Sequence, residues 1–135
     1  MLSDEKVIEL VAKLTRLTIE GRLAWVIGEL PHGGGDGGVL NSPVFCSNIE
    51  GVDIRIYEMA DERWTSTIFT DDGDEISLAR PKVYRYPYLV LELIGEHGFA
   101  DAEFRDLPGL RALFKAVRVR SSRLDAKIDS ILALR

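Results

Sequence analysis

The chain is 135 residues long, 46% hydrophobic and 29% charged, with a formal net charge of −5. That is a single-domain length, enough to bury roughly two-thirds of the unfolded surface. The composition excludes a disordered or fibrous chain, no apolar run reaches the ~18 residues of a membrane span, and the lone Cys46 excludes an intrachain disulfide framework and fits a reducing compartment.

"MLSDEKVIEL" carries acids where a signal peptide would carry bases before an apolar run, so a cytoplasmic location is expected. Ser3 precedes "DEKVIELVAKLTRLTIEG", in which Val7, Leu10, Val11, Leu14, Leu17 and Thr18 recur at helical spacing and Gly21 supplies the stop. This predicts a helix of about 17 residues with one apolar face. In "RLAWVIGEL", Leu23, Trp25 and Ile27 alternate with the equally apolar Ala24 and Val26. That pattern predicts a strand covered on both faces, or a close continuation of the core.

"PHGGGDGGVLNS" follows, and "PVFCSNI" then reads as a short strand. "GVDIRIYEMA" alternates clearly, with Val52, Ile54 and Ile56 on one side and Asp53, Arg55 and Tyr57 on the other. "RWTSTIFT-DDGD-EISLAR" reads as a hairpin turning at Asp72-Gly73. "YLVLELI-GEHG-FADAEF" predicts another, with Leu89, Leu91 and Leu93 on one face.

Pro108, after Asp106 as the expected cap, opens a helix with the stripe Leu110, Leu113, Phe114 and Val117. The periodicity restarts at Leu124, Ile128, Ile131 and Leu132, behind a capping-box-like Ser122-x-x-Asp125. Two closing helices are predicted, about 108–119 and 123–134. The sum is one α+β domain spanning 1–135: an N-terminal helix, an antiparallel meander of five or six strands, and two C-terminal helices. Trp25, Leu14, Ile54, Leu91 and Phe114 are expected to meet in its core.

The segments "VIELVAKLTRLTIEGRLAW", "YLVLELIGEHG" and "LPGLRALFKAVRVRSSRLDAKIDSIL" resemble a group of small bacterial single-domain proteins of unknown function. That group shares a helix ending near Leu-Thr…Gly-x-Leu-x-Trp, a sheet and a Leu-rich closing helix pair. The resemblance implies a bacterial intracellular origin and an α+β fold, and it carries over no catalytic residue.

The Gly-rich stretch invites a phosphate or metal reading. A phosphate loop needs a helix after it, and a P-loop a closing Lys-Ser/Thr; here a turn and a strand follow. A calcium loop needs alternating acids, and Asp36 stands alone. The segment from Gly33 to Gly38 is therefore expected to be a slack, dispensable connection. His32, His97 and Cys46 are spaced too far apart for a recognisable metal site. The acids Asp61, Glu62, Asp71, Asp72, Asp74 and Glu75 fall on turns, where water opposes the pKa tuning that acid–base catalysis needs. No catalytic residue, metal or cofactor is expected.

In "RPKVYRYPYLVLEL", Tyr84, Tyr86 and Tyr88 stand at strand spacing among Arg80, Lys82 and Arg85. Stacking aromatics among bases can read single-stranded nucleic acid, but Pro81 and Pro87 point to an edge strand. The charge balance also opposes phosphate binding: the first 104 residues hold nine bases against 19 acids, whereas residues 105–135 hold eight bases against three acids. A tyrosine row on an edge, with Arg120, Arg123 and Lys127 on an oppositely charged helix pair, instead suits a protein interface. The expected function is a non-enzymatic cytoplasmic interaction or regulatory module, homodimeric, with no membrane or nucleic-acid partner. A ligand-binding domain or unrecognised enzyme with a pocket between sheet and helices is the alternative, and an acidic chaperone-like protein binder is a further one.

Overall fold

A computed structural model describes residues 3–30, 38–95 and 98–135, apart from the side chains of Leu124 and Asp125. The helix α1 runs Asp4–Ile19. Ser3 Oγ accepts the Lys6 N–H at 3.3 Å, and Asp4 and Glu5 occupy the positive end of the helix dipole. Val7, Val11, Leu14, Leu17 and Thr18 are buried, and Leu10 is partly so. Gly21 ends the helix at φ 73°, its N–H donating to Thr18 O and that of Arg22 to Leu17 O. This pair of bonds needs a left-handed residue, which glycine adopts without a Cβ clash.

Among the described residues six antiparallel strands follow: β1 (Val26–Gly28), β2 (Gly38–Leu40), β3 (Val44–Ile49), β4 (Val52–Phe69), β5 (Glu75–Ile94) and β6 (Ala100–Arg105). Their order is β1-β3-β4-β5-β6, with β2 also paired to β4, alongside Met59 to Asp61. The β3–β4 turn is Glu50-Gly51, both at positive φ, the geometry that matches the twist of the strands it joins. The α+β arrangement expected from the sequence is the one observed.

Several local expectations are corrected. β1 is not covered on both faces: Val26 and Ile27 are 65% and 68% exposed. Among the described residues it is a three-residue edge strand paired only to β3, and the chain dips into the core at Leu23 and Trp25 before the strand begins. "RWTSTIFT" and "EISLAR" pair as the expected hairpin around Asp72-Gly73, but they are not a separate one. They are the far halves of β4 and β5, which run unbroken into their neighbours. Thr65 pairs with Lys82 but Thr67 with Ser77, so the ladder breaks where Pro81 falls and its missing N–H goes unneeded.

Asp106 does not cap a helix. It sits at φ 46°, donates its N–H to Leu89 O at 3.0 Å, and accepts the Leu89 N–H on Oδ1 at 2.9 Å. Helix α2 (Leu110–Ser121) starts instead from Gly109 at φ 80°, and α3 (Leu124–Leu132) from Arg123 at φ 51°. Ser122 Oγ donates back to Val119 O, so it closes α2 and does not open α3. The Asp125 half of the expected capping box lies outside the described side chains.

One sheet face, with Phe45, Ile54, Ile56, Leu89 and Leu91, packs on α1 and α2. Trp25, Leu14, Ile54, Leu91 and Phe114 meet there as expected. Alternation sends Val44, Tyr57, Met59, Tyr88 and Val90 to the other face, where Leu30 and Cys46 join them in a second cluster. The residues Gly33 to Gly37 of the expected slack segment lie outside the described residues. Gly38 itself pairs with Asp61, and a Cβ there would stand 2.9 Å from Tyr88 Oη and Met59 Cε.

Candidate interaction surfaces

The tyrosine row is a graded series. Tyr84, Tyr86 and Tyr88 share the sheet face opposite the helices, opposite Arg63, Asp61 and Met59 on β4. Tyr88 is buried in the second cluster, with the Arg105 guanidinium 5.0 Å from its ring centre. Tyr86 is exposed beneath Arg63 at 5.4 Å, and Tyr84 is exposed. The outward part of the row is thus Tyr84 and Tyr86.

These two belong to a larger feature. Among the described residues β2 reaches only to Asp61 and β6 begins pairing at Val90, so from residue 62 to 85 the strands β4 and β5 have no described partner but each other. No residue from 61 to 87 is buried. The strands therefore form a two-stranded arm, whose β4 half projects roughly 25 Å at the usual strand rise. Trp64 is 69% and Phe69 72% exposed, and Ile76 and Val83 are exposed as well. At the tip Thr70 receives the Gly73 N–H, and Asp71, Asp72, Asp74 and Glu75 cluster around the turn. No Lys or Arg occurs between Trp64 and Ala79.

The closing helices present the opposite charge. A groove of about 590 Å³ is lined by Ile19, Ala112, Lys115, Ala116, Val119, Arg120, Arg123 and Ala126. It lies against α2 between the end of α1 and α3, not between sheet and helices. Arg120 donates to Ile19 O and so ties α2 to the end of α1. No Asp or Glu lies between Asp106 and Asp125. Ile128, Ile131 and Leu132 on α3 are exposed, the last two at 66% and 76%. At 3.6 residues per turn they lie opposite Ala126, so the stripe faces away from the groove. Lys127 is exposed and outside the groove lining.

A polar row crosses the second face in register: Cys46, Arg55, Glu92 and Glu103 on β3 to β6. Arg55 Nε stands 3.3 Å from Glu92 Oε1, both side chains buried, and the Tyr57 hydroxyl lies within the influence of the Glu92 carboxylate. Their angle fails hydrogen-bond geometry, so the Arg55–Glu92 contact is an ion pair only. Burial, reinforced by the Glu92 carboxylate, pushes the Tyr57 hydroxyl far above its ordinary range. Burial also pushes the Cys46 thiol up against the opposing pull of Arg55, which disfavours the thiolate. Among the described residues no three His, Cys, Asp or Glu side chains gather as metal ligands, and no helix is long and apolar enough to cross a membrane. His32, Asp36 and His97 lie outside the described residues.

No family model, curated protein or solved structure matches the chain. The likeness to small bacterial proteins therefore rests on its sequence pattern alone. Sequence reasoning found the hairpin at the arm's tip but missed the arm's length and the Arg55–Glu92 pair. Signals for both existed: no Gly or Pro interrupts Val52 to Thr70, and Glu92 is the one charge inside "YLVLELI".

Proposed function

We propose that this protein is a non-enzymatic interaction or regulatory module that works as a homodimer in the bacterial cytoplasm. The observation that carries the reading is the bare apolar stripe Ile128, Ile131 and Leu132 on α3. A helix that turned its only apolar face to water would gain nothing from packing, and contiguous exposed apolar surface marks interaction sites. Sedimentation at micromolar concentration tests it. Wild type is expected to run at twice the mass of one chain, and Ile131→Asp with Leu132→Asp to shift it toward one chain. A wild-type monomer in both low and moderate salt would remove the reading.

A second reading, a small-ligand-binding domain, draws on the groove beside α2. Its volume of about 590 Å³ falls in the range of ligand pockets, roughly 300–1,000 Å³. A thermal-shift screen that found a small apolar ligand for a monomeric chain would favour it. A monomer that instead protected unfolded client proteins from aggregation would favour the chaperone-like reading.

A further inference from the structure

We infer that the β4–β5 arm of one copy docks in the α2–α3 groove of a second copy, so that each chain gives an arm and receives one. The inference rests on the homodimer reading and adds a second contact to the one made by the α3 stripe, which faces away from this groove. An isolated two-stranded ribbon is marginal in water, and an exposed ribbon edge invites pairing. The arm nevertheless carries Trp64 and Phe69 outward along its length. Such side chains are the anchors that interfaces use.

Charge selects the occupant. The arm tip gathers Asp71, Asp72, Asp74 and Glu75 with no base nearby. The groove has an apolar floor of Ala112, Ala116 and Val119, rimmed by Lys115, Arg120 and Arg123. Small floor residues leave room for a large ring, and Phe69 and Ile76 flank the acidic turn. Packing groove on groove would instead set bases against bases, which costs affinity. A two-fold axis makes the exchange reciprocal and doubles the contact, closing the assembly at two chains.

The test is a charge swap read by sedimentation and by mixing. One variant reverses the arm, Asp71→Lys, Asp72→Lys and Asp74→Lys. The other reverses the groove, Lys115→Glu and Arg123→Glu, sparing Arg120 because it ties α2 to α1. All the altered side chains are exposed, and unchanged far-UV circular dichroism checks folding. Each variant alone is expected to dimerise at least tenfold more weakly than wild type. An equimolar mixture is expected to recover wild-type affinity, because every arm then meets a groove of opposite sign. Raising salt should weaken the wild-type dimer and the mixed one alike. Dimers of undiminished affinity in both variants would overturn the arm contact and leave the homodimer reading standing. So would variants weakened alone and not rescued by mixing. A monomeric wild type would overturn both.

Discussion

The indole Nε1 of Trp25 donates to Thr18 Oγ1 at 3.0 Å, and the same hydroxyl donates onward to Leu14 O at 2.7 Å. Thr18 is fully buried, so this relay satisfies the polar atom of a core tryptophan where no water reaches. Thr18 counts as an apolar stripe residue by its spacing, and its hydroxyl is what lets the indole enter. Thr18→Val keeps the volume and removes the acceptor. It is expected to cost about 1–3 kcal/mol, the penalty of an unpaired buried donor, while Thr18→Ser should lose only about 0.8 kcal/mol for one methyl. Urea denaturation of the two variants compares them, and equal losses would show that the relay contributes nothing.

Asp106 completes the ladder of β5 with its side chain where β6 has already turned away. Two demands meet at this residue, an acceptor for the Leu89 N–H and a backbone at φ 46°. Asn meets both, since it keeps the oxygen and tolerates the left-handed region. Ala meets neither. Asp106→Asn is expected to stay within about 0.5 kcal/mol of wild type and Asp106→Ala to lose about 1–3 kcal/mol. A similar loss in both would show that the carboxylate charge matters more than the bond.

What the sequence revealed depended on the range of the interaction. α1 was legible because its stripe, its Ser3 cap and its Gly21 stop all act within a few residues, and they agreed. Asp106 misled because an acid before Leu-Pro looks the same locally whether it serves the following helix or a distant strand. β1 misled because apolar residues on both faces fit a central strand, and only the pairing to β3 alone makes it an edge. The arm's tip was readable as a hairpin at Asp72-Gly73, but its length was lost by dividing β4 and β5 at polar residues, although no chain-breaking residue interrupts β4. Of the expected interface residues, the alternation of Tyr84, Tyr86 and Tyr88 was readable. The strand β6 was expected from "FADAEF", but the burial of Tyr88 under Arg105 depends on a register that no local pattern specifies.

Tyr57 gives the fold an alkaline limit. Burial and then Glu92 raise its pKa above the ordinary value, which is about 10. The sign follows from proton counting: above roughly pH 10 the unfolded chain has released a proton that the native chain keeps, so stability falls as pH rises. Below that pH the contribution is fully present. Tyr57→Phe removes the group from both states. Its stability relative to wild type is therefore expected to improve from pH 9 to pH 11, as chemical denaturation across that range would show. The raised Cys46 thiol adds a similar limb, common to both proteins and absent from the difference. A constant difference across the range would refute the role of Tyr57.

The Arg55–Glu92 pair tests whether the second sheet face is held by charge or by packing. The two side chains are 11% and 8% exposed, joined at 3.3 Å across β4 and β5. Desolvating two ions costs about as much as their attraction returns, so such a pair adds little net stability. Losing one partner is different, because the survivor stays buried without a counter-charge. Glu92→Gln is expected to cost about 3 kcal/mol, at the lower edge of the range for a broken buried pair because the amide keeps the size and polarity of the carboxylate. Arg55→Met in that background removes the stranded guanidinium while keeping an unbranched chain of similar length. The double variant should return to within about 1 kcal/mol of wild type, a coupling that a double-mutant cycle in urea measures directly. If the two losses simply add, the guanidinium and carboxylate act independently, and the face is held by Val44, Met59 and Val90 alone.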